Sequence, residues 1–179
     1  MIKKILAIIL ISNLFSAVSF AQCNYGINLG DSYSKIFKDK YGNINTEDSI
    51  SIYRESADKI CASNTFKDVQ VEYTFIYGEL GSIKLIALND SNNIVSNELT
   101  LMKYAKLNYG DFNTGDNPRA YNYFKVWKEN NMVILYKRLL GSQNIWDESI
   151  YITNNKYRKK MAGISAVKEN VLQGMMKEQ

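Results

Sequence analysis

Residues 69–87 read Val-Gln-Val-Glu-Tyr-Thr-Phe-Ile-Tyr-Gly-Glu-Leu-Gly-Ser-Ile-Lys-Leu-Ile-Ala. Val69, Val71, Tyr73, Phe75 and Tyr77 occupy alternate positions among mostly polar neighbours, the two-residue period of a strand with one buried face. Gly78-Glu79-Leu80-Gly81 is turn chemistry. Ile83, Leu85 and Ala87 then resume the alternation, so the stretch is a β-hairpin. Upstream, residues 49–54 alternate around Ile50 and Ile52 and add a strand. Downstream the same grammar returns: residues 121–128 and 132–139 flank Glu129-Asn130-Asn131 as a second hairpin, and residues 149–153 form a further strand.

Between these strands the period lengthens to that of a helix. Asp31 is a good N-cap, and Tyr33, Ile36, Phe37 and Tyr41 follow at helical spacing until Gly42. Ser96 or Asn97 can cap a second run of Leu101, Tyr104, Ala105 and Tyr109, which ends before Gly110. Ile164, Val167, Val171, Leu172 and Met175 mark a C-terminal helix over about 163–176, whose apolar stripe suits docking on a core. The two Tyr-Gly pairs also open a repeat. Tyr41-Gly42-Asn43-Ile44-Asn45-Thr46-Glu47-Asp48 is echoed by Tyr109-Gly110-Asp111-Phe112-Asn113-Thr114-Gly115-Asp116, with five of eight positions identical at a constant offset of 68 residues. The expected architecture is therefore α+β: two tandem helix-then-antiparallel-meander units (about 24–90 and 94–155) forming one domain, closed by the C-terminal helix.

The chain opens with a secretory leader. Lys3 and Lys4 precede the apolar run from Ile5 to Phe15, and Ser19-Phe20-Ala21 offers a small-x-small cleavage site. Residues 1–21 read as a signal peptide and 22–179 as one globular domain, periplasmic or secreted, with no segment long and apolar enough to span a bilayer. Lipoprotein processing requires a small residue before the cysteine, and Gln22 precedes Cys23, so lipidation is not expected. Cys23 and Cys61 are the only cysteines, and in an oxidising compartment they form one disulfide worth about 4 kcal/mol in the chain-entropy picture.

Composition excludes more than it assigns. Hydrophobic residues make up 46% and charged residues 22% of the chain, as expected for a packed globule. Thirteen acidic and nine basic residues fall in 22–118, against five acidic and eleven basic in 119–179, so the C-terminal third is cationic. Its densest cluster is Lys156, Arg158, Lys159 and Lys160, which reads as a solvated face or a contact for an anionic surface. Nucleic acid is a poor fit for an exported chain of near-neutral charge. With no histidine, Ser-His-Asp and Cys-His catalysis are impossible, and the commonest metal ligand is missing. Ser32-x-x-Lys35 lacks the companion elements of serine penicillin-recognising enzymes, and Asp90-Ser91-Asn92 lacks the glycine and distal glutamate of a calcium loop. No catalytic residue, metal site or cofactor is expected.

The helix entered through Gly26-Ile27-Asn28-Leu29-Gly30-Asp31-Ser32, left through Tyr41-Gly42 and followed by a meander resembles the BamE-like fold of outer-membrane assembly accessory lipoproteins. Two such units in tandem resemble the secreted β-lactamase inhibitor proteins. The resemblance carries no functional residue onto this sequence. It implies a non-enzymatic binding protein, at its sharpest an inhibitor of an extracellular hydrolase, with an envelope-assembly or structural accessory that contacts outer-membrane proteins or peptidoglycan as the alternative. The partner is then a protein of the envelope or the extracellular space. Tyr and Trp anchor interfaces, which singles out Tyr121, Tyr123, Trp127 and Tyr136 on the second hairpin and Trp146 in the next loop as binding candidates. The competing reading of the same residues is core, because alternating aromatics in a sheet usually pack inward.

Overall fold

A computed structural model describes residues 23–35, 37, 49–61, 66, 68–88, 99–112, 122–140 and 146–177, without the side chains of 35, 146 and 167–177. The leader, Gly42 and the candidate caps Ser96 and Asn97 lie outside the described residues. Six strands are present among them: β1 (Ile50–Ser56), β2 (Val69–Ile76), β3 (Glu79–Ala87), β4 (Tyr123–Glu129), β5 (Met132–Leu140) and β6 (Trp146–Asn154). Helix α1 (Thr100–Tyr109) precedes β4, and α2 (Asn155–Lys177) follows β6 without a loop.

The strands form one antiparallel sheet in the order β1-β2-β3-β6-β5-β4, which overturns the expected pair of tandem units. β3 and β6 pair from Ser82↔Thr153 to Ile86↔Ser149, so the two meanders share a single ladder and a single core. The physical reason lies in the facing rows. Ile83 and Leu85 of β3 stand opposite Ile152 and Ile150 of β6, and these four apolar side chains are buried only when the strands join. The expected first helix is, among the described residues, a single 3-10 turn at Tyr33–Lys35, so the described helices number two.

Both tight hairpins use left-handed backbone. Asn130 (φ 45°) and Asn131 (φ 67°) join β4 to β5, and Tyr77 (φ 51°) with Gly78 (φ 76°) joins β2 to β3. Positive φ at both central positions matches the right-handed twist of the flanking strands. The second turn is thus one residue earlier than Gly78–Gly81, and Gly81 belongs to β3. There it is skipped by the register, which passes from Thr74↔Ser82 to Phe75↔Leu80. A Cβ at Gly81 would lie 2.7 Å from the Ile76 side chain, so a larger residue at this bulge forces the buried Ile76 side chain to shift.

One face of the sheet is dry. Val71, Tyr73, Phe75, Leu85, Ile134, Tyr136 and Ile150 are buried there beneath the N-terminal segment and α1. Tyr33 and Phe37 interlock with Tyr53, Tyr73 and Phe75 at ring separations of 4.9–6.2 Å. A disulfide joins Cys23 to Cys61 and holds the N-terminal segment against the loop after β1. Asn24 N–H donates to the Ile60 carbonyl beside it (2.8 Å). No helix among the described residues is long and apolar enough to cross a membrane.

Candidate functional site

The dry face holds a buried carboxylate network among the described residues, and it is structural. Leu99, the N-cap of α1, has no side-chain oxygen to offer, so the helix start draws its acceptor from another element. Glu148 of β6 supplies it, accepting from Leu101 N–H (3.2 Å), Met102 N–H (2.7 Å) and the Tyr136 hydroxyl (2.9 Å). Burial, followed by the Glu148 charge, pushes the Tyr136 phenol far above its ordinary value and keeps it a neutral donor. Arg138, the register partner of Glu148, donates to Met102 Sδ (3.0 Å) and lies 5.0 Å from the Tyr123 ring centroid. Glu148 and Arg138 are fully buried and out of reach of any substrate.

The other face is covered at its centre and exposed toward the β1 and β4 edges. Strand register places its side chains in rows that cross all six strands. One row runs Arg54, Glu72, Lys84, Tyr151, Leu135 and Val126, and the next runs Ile52, Thr74, Ser82, Thr153, Val133 and Lys128. α2 crosses this face over β6, β3 and β2. Beneath its Met161 a groove of about 410 Å³ extends from Ile50 and Ile52 on β1, past Glu72, Thr74, Ser82 and Lys84, to Ser149, Tyr151, Leu135 and Lys137. Beyond the groove, at the β4 edge, Phe124 (55% exposed) and Val126 (49%) form an uncovered apolar step, and Ile52 (51%) is its counterpart on β1.

The aromatic candidates fall mostly on the closed side. Trp127 is 9% exposed and packs against Phe112 (5.5 Å) and Tyr109 (5.9 Å). Tyr136 is fully buried on Glu148, and Tyr123, half-buried, packs at a tilt against Phe112 at 5.5 Å. Tyr121 lies outside the described residues, and Trp146 opens β6 with its side chain not described. The residues of the open face carry no motif. Their one signal is the second phase of the β4 alternation, Phe124-x-Val126-x-Lys128, interleaved with Tyr123-x-Lys125-x-Trp127.

The basic cluster divides. Tyr157 O–H (2.9 Å), Lys160 Nζ (3.1 Å) and Lys156 Nζ (3.3 Å) all donate to Glu79 Oε2, holding that carboxyl below its ordinary range and the start of α2 on the β2–β3 hairpin. Arg158 and Lys159 remain exposed. Among the described residues no three His, Cys, Asp or Glu side chains converge as metal ligands. No family model, curated protein or solved structure matches this chain.

Proposed function

We propose that this chain is an exported, non-enzymatic binding protein of the periplasm or extracellular space, and that it docks a protein partner on the open face of β4 and β5. The carrying observation is the uncovered step of Phe124 and Val126. It lies on a sheet whose opposite face packs Trp127, Ile134 and Tyr136 into the core, so the step is presented without rearrangement. Aromatic side chains on such a platform anchor interfaces, and the exposed Lys128 beside it suits an acidic rim on the partner. The Cys23–Cys61 disulfide supports an oxidising compartment. An inhibitor of an extracellular hydrolase is the sharpest form of this function, because an inhibitor needs only a preorganised face.

Affinity capture from envelope and culture-supernatant fractions, followed by Phe124→Ala, tests it. The expected result is capture of a soluble hydrolase, with about 2 kcal/mol, or roughly thirtyfold in affinity, lost in the variant. Capture of an outer-membrane complex or of peptidoglycan in its place would support the envelope-accessory role.

A further inference from the structure

We infer that the groove under α2 is a binding site for a free, single-chain amphiphilic anion, with Lys84 as the counter-charge of its head group. This goes beyond the protein-docking function and does not depend on its anchors, Phe124 and Val126, which lie outside the groove. The volume of about 410 Å³ falls at the lower end of the range of small-molecule sites, enough for one aliphatic chain and its head. Ile50, Ile52, Leu135 and Met161 supply apolar walls on both sides of the polar floor.

The charges on the floor are unequal. Glu72 is neutralised by Arg54, at 2.7 and 2.8 Å, and Lys137 by Asp147, at 2.9 Å. Lys84, the register partner of Glu72 and one row away from Lys137, is half-buried and makes no ion pair of its own among the described residues. The groove is thus left with one net positive charge, which complements a monoanion and repels a cation. Ser82, in the adjacent row of the same groove, adds an independent sign. Its buried Oγ has no hydrogen-bond partner among the described residues, a state that ordinarily costs about 1–3 kcal/mol. A head group seated at Lys84 brings an acceptor to that neighbourhood.

Isothermal titration calorimetry of the full exported chain with laurate, below its micelle concentration, tests the assignment. The controls are dodecyltrimethylammonium, which carries the same chain on a cation, and vesicles of phosphatidylglycerol. Laurate is expected to bind once per chain and the cation at least roughly tenfold more weakly. Lys84→Met is expected to lose roughly tenfold in laurate affinity, in keeping with one charge-assisted hydrogen bond, while Lys84→Arg retains it. Phe124→Ala is expected to leave laurate binding unchanged, since Phe124 lies outside the groove, so loss of protein docking and loss of amphiphile binding are separable. Absence of laurate binding, equal affinity for anion and cation, or an unaffected Lys84→Met variant would overturn the assignment. So would vesicle binding that depends on Lys84 with no laurate binding, because the head group would then be read at a membrane surface.

Discussion

Phe124 and Trp127 stand three residues apart on β4 and face opposite ways, so their substitutions should have opposite consequences. Trp127→Ala removes an indole wedged between Phe112 and Tyr109 and is expected to cost about 3–5 kcal/mol in stability, measured by urea unfolding. Phe124→Ala touches a half-exposed ring and is expected to change stability by about 0.5 kcal/mol or less. Equal losses would show that both faces of β4 are packed. Tyr77 is the complementary case, a bulky residue held at φ 51° in the hairpin turn. Tyr77→Asn supplies the Asn-Gly pair that this turn favours, and should stabilise by about 1 kcal/mol, a rise of roughly 2–4 °C in Tm for a chain of this size.

At the scale of elements, α2 starts on a cap from the adjacent residue, whereas α1 starts on one from a distant strand. α2 begins at Asn155, well before the apolar stripe at Ile164, because the Asn154 side chain accepts the Tyr157 N–H (3.1 Å) and Glu79 gathers the lysines of the first turns. The start of α1 depends on Glu148, which lies 46 residues further along the chain from Met102. Glu148→Ala would strip the acceptor from two helix N–H groups and from the Tyr136 hydroxyl. Hydrogen exchange across α1 should accelerate, with a stability loss of about 3 kcal/mol. The anchor of α2 should depend on pH. The folded Glu79 carboxyl titrates below its unfolded value, so its stabilisation is present above about pH 4.3 and is lost as pH falls through the depressed folded value. Solvent screening at this partly exposed site limits the effect to about 1 kcal/mol. Glu79→Gln should therefore lower Tm at pH 7, and the gap to the parent chain should close as pH falls through the depressed folded value; a gap that persists once the carboxyl is protonated would reject the ion-pair account.

Across the whole molecule, the disulfide closes 38 residues of sequence and joins the N-terminal segment to the sheet, so replacing both cysteines by alanine should cost about 4 kcal/mol and lower Tm without changing the strand order. Near-identical thermal unfolding of the parent and the alanine variant would remove that role. The strands were legible because alternation is local: Val71, Tyr73 and Phe75 declare a two-residue period whatever surrounds them. Gly110 likewise marks the end of α1 through its φ of 96°. The division into two units failed because the joining of β3 to β6 is non-local, written only in two apolar rows that must find each other. Which face of β4 is buried was not legible for a related reason. Alternation shows that Phe124 and Trp127 differ in face but not which face is dry, and the dry face is the one that Tyr33, Phe37 and α1 come to cover. By itself, then, the sequence determined the strands, the pairing of its two cysteines and the exclusion of histidine chemistry, because each depends on neighbours in the chain or on composition. Only the tertiary structure decided the single sheet, the buried Glu148 network and the open groove at Lys84, because each requires residues distant in sequence to meet.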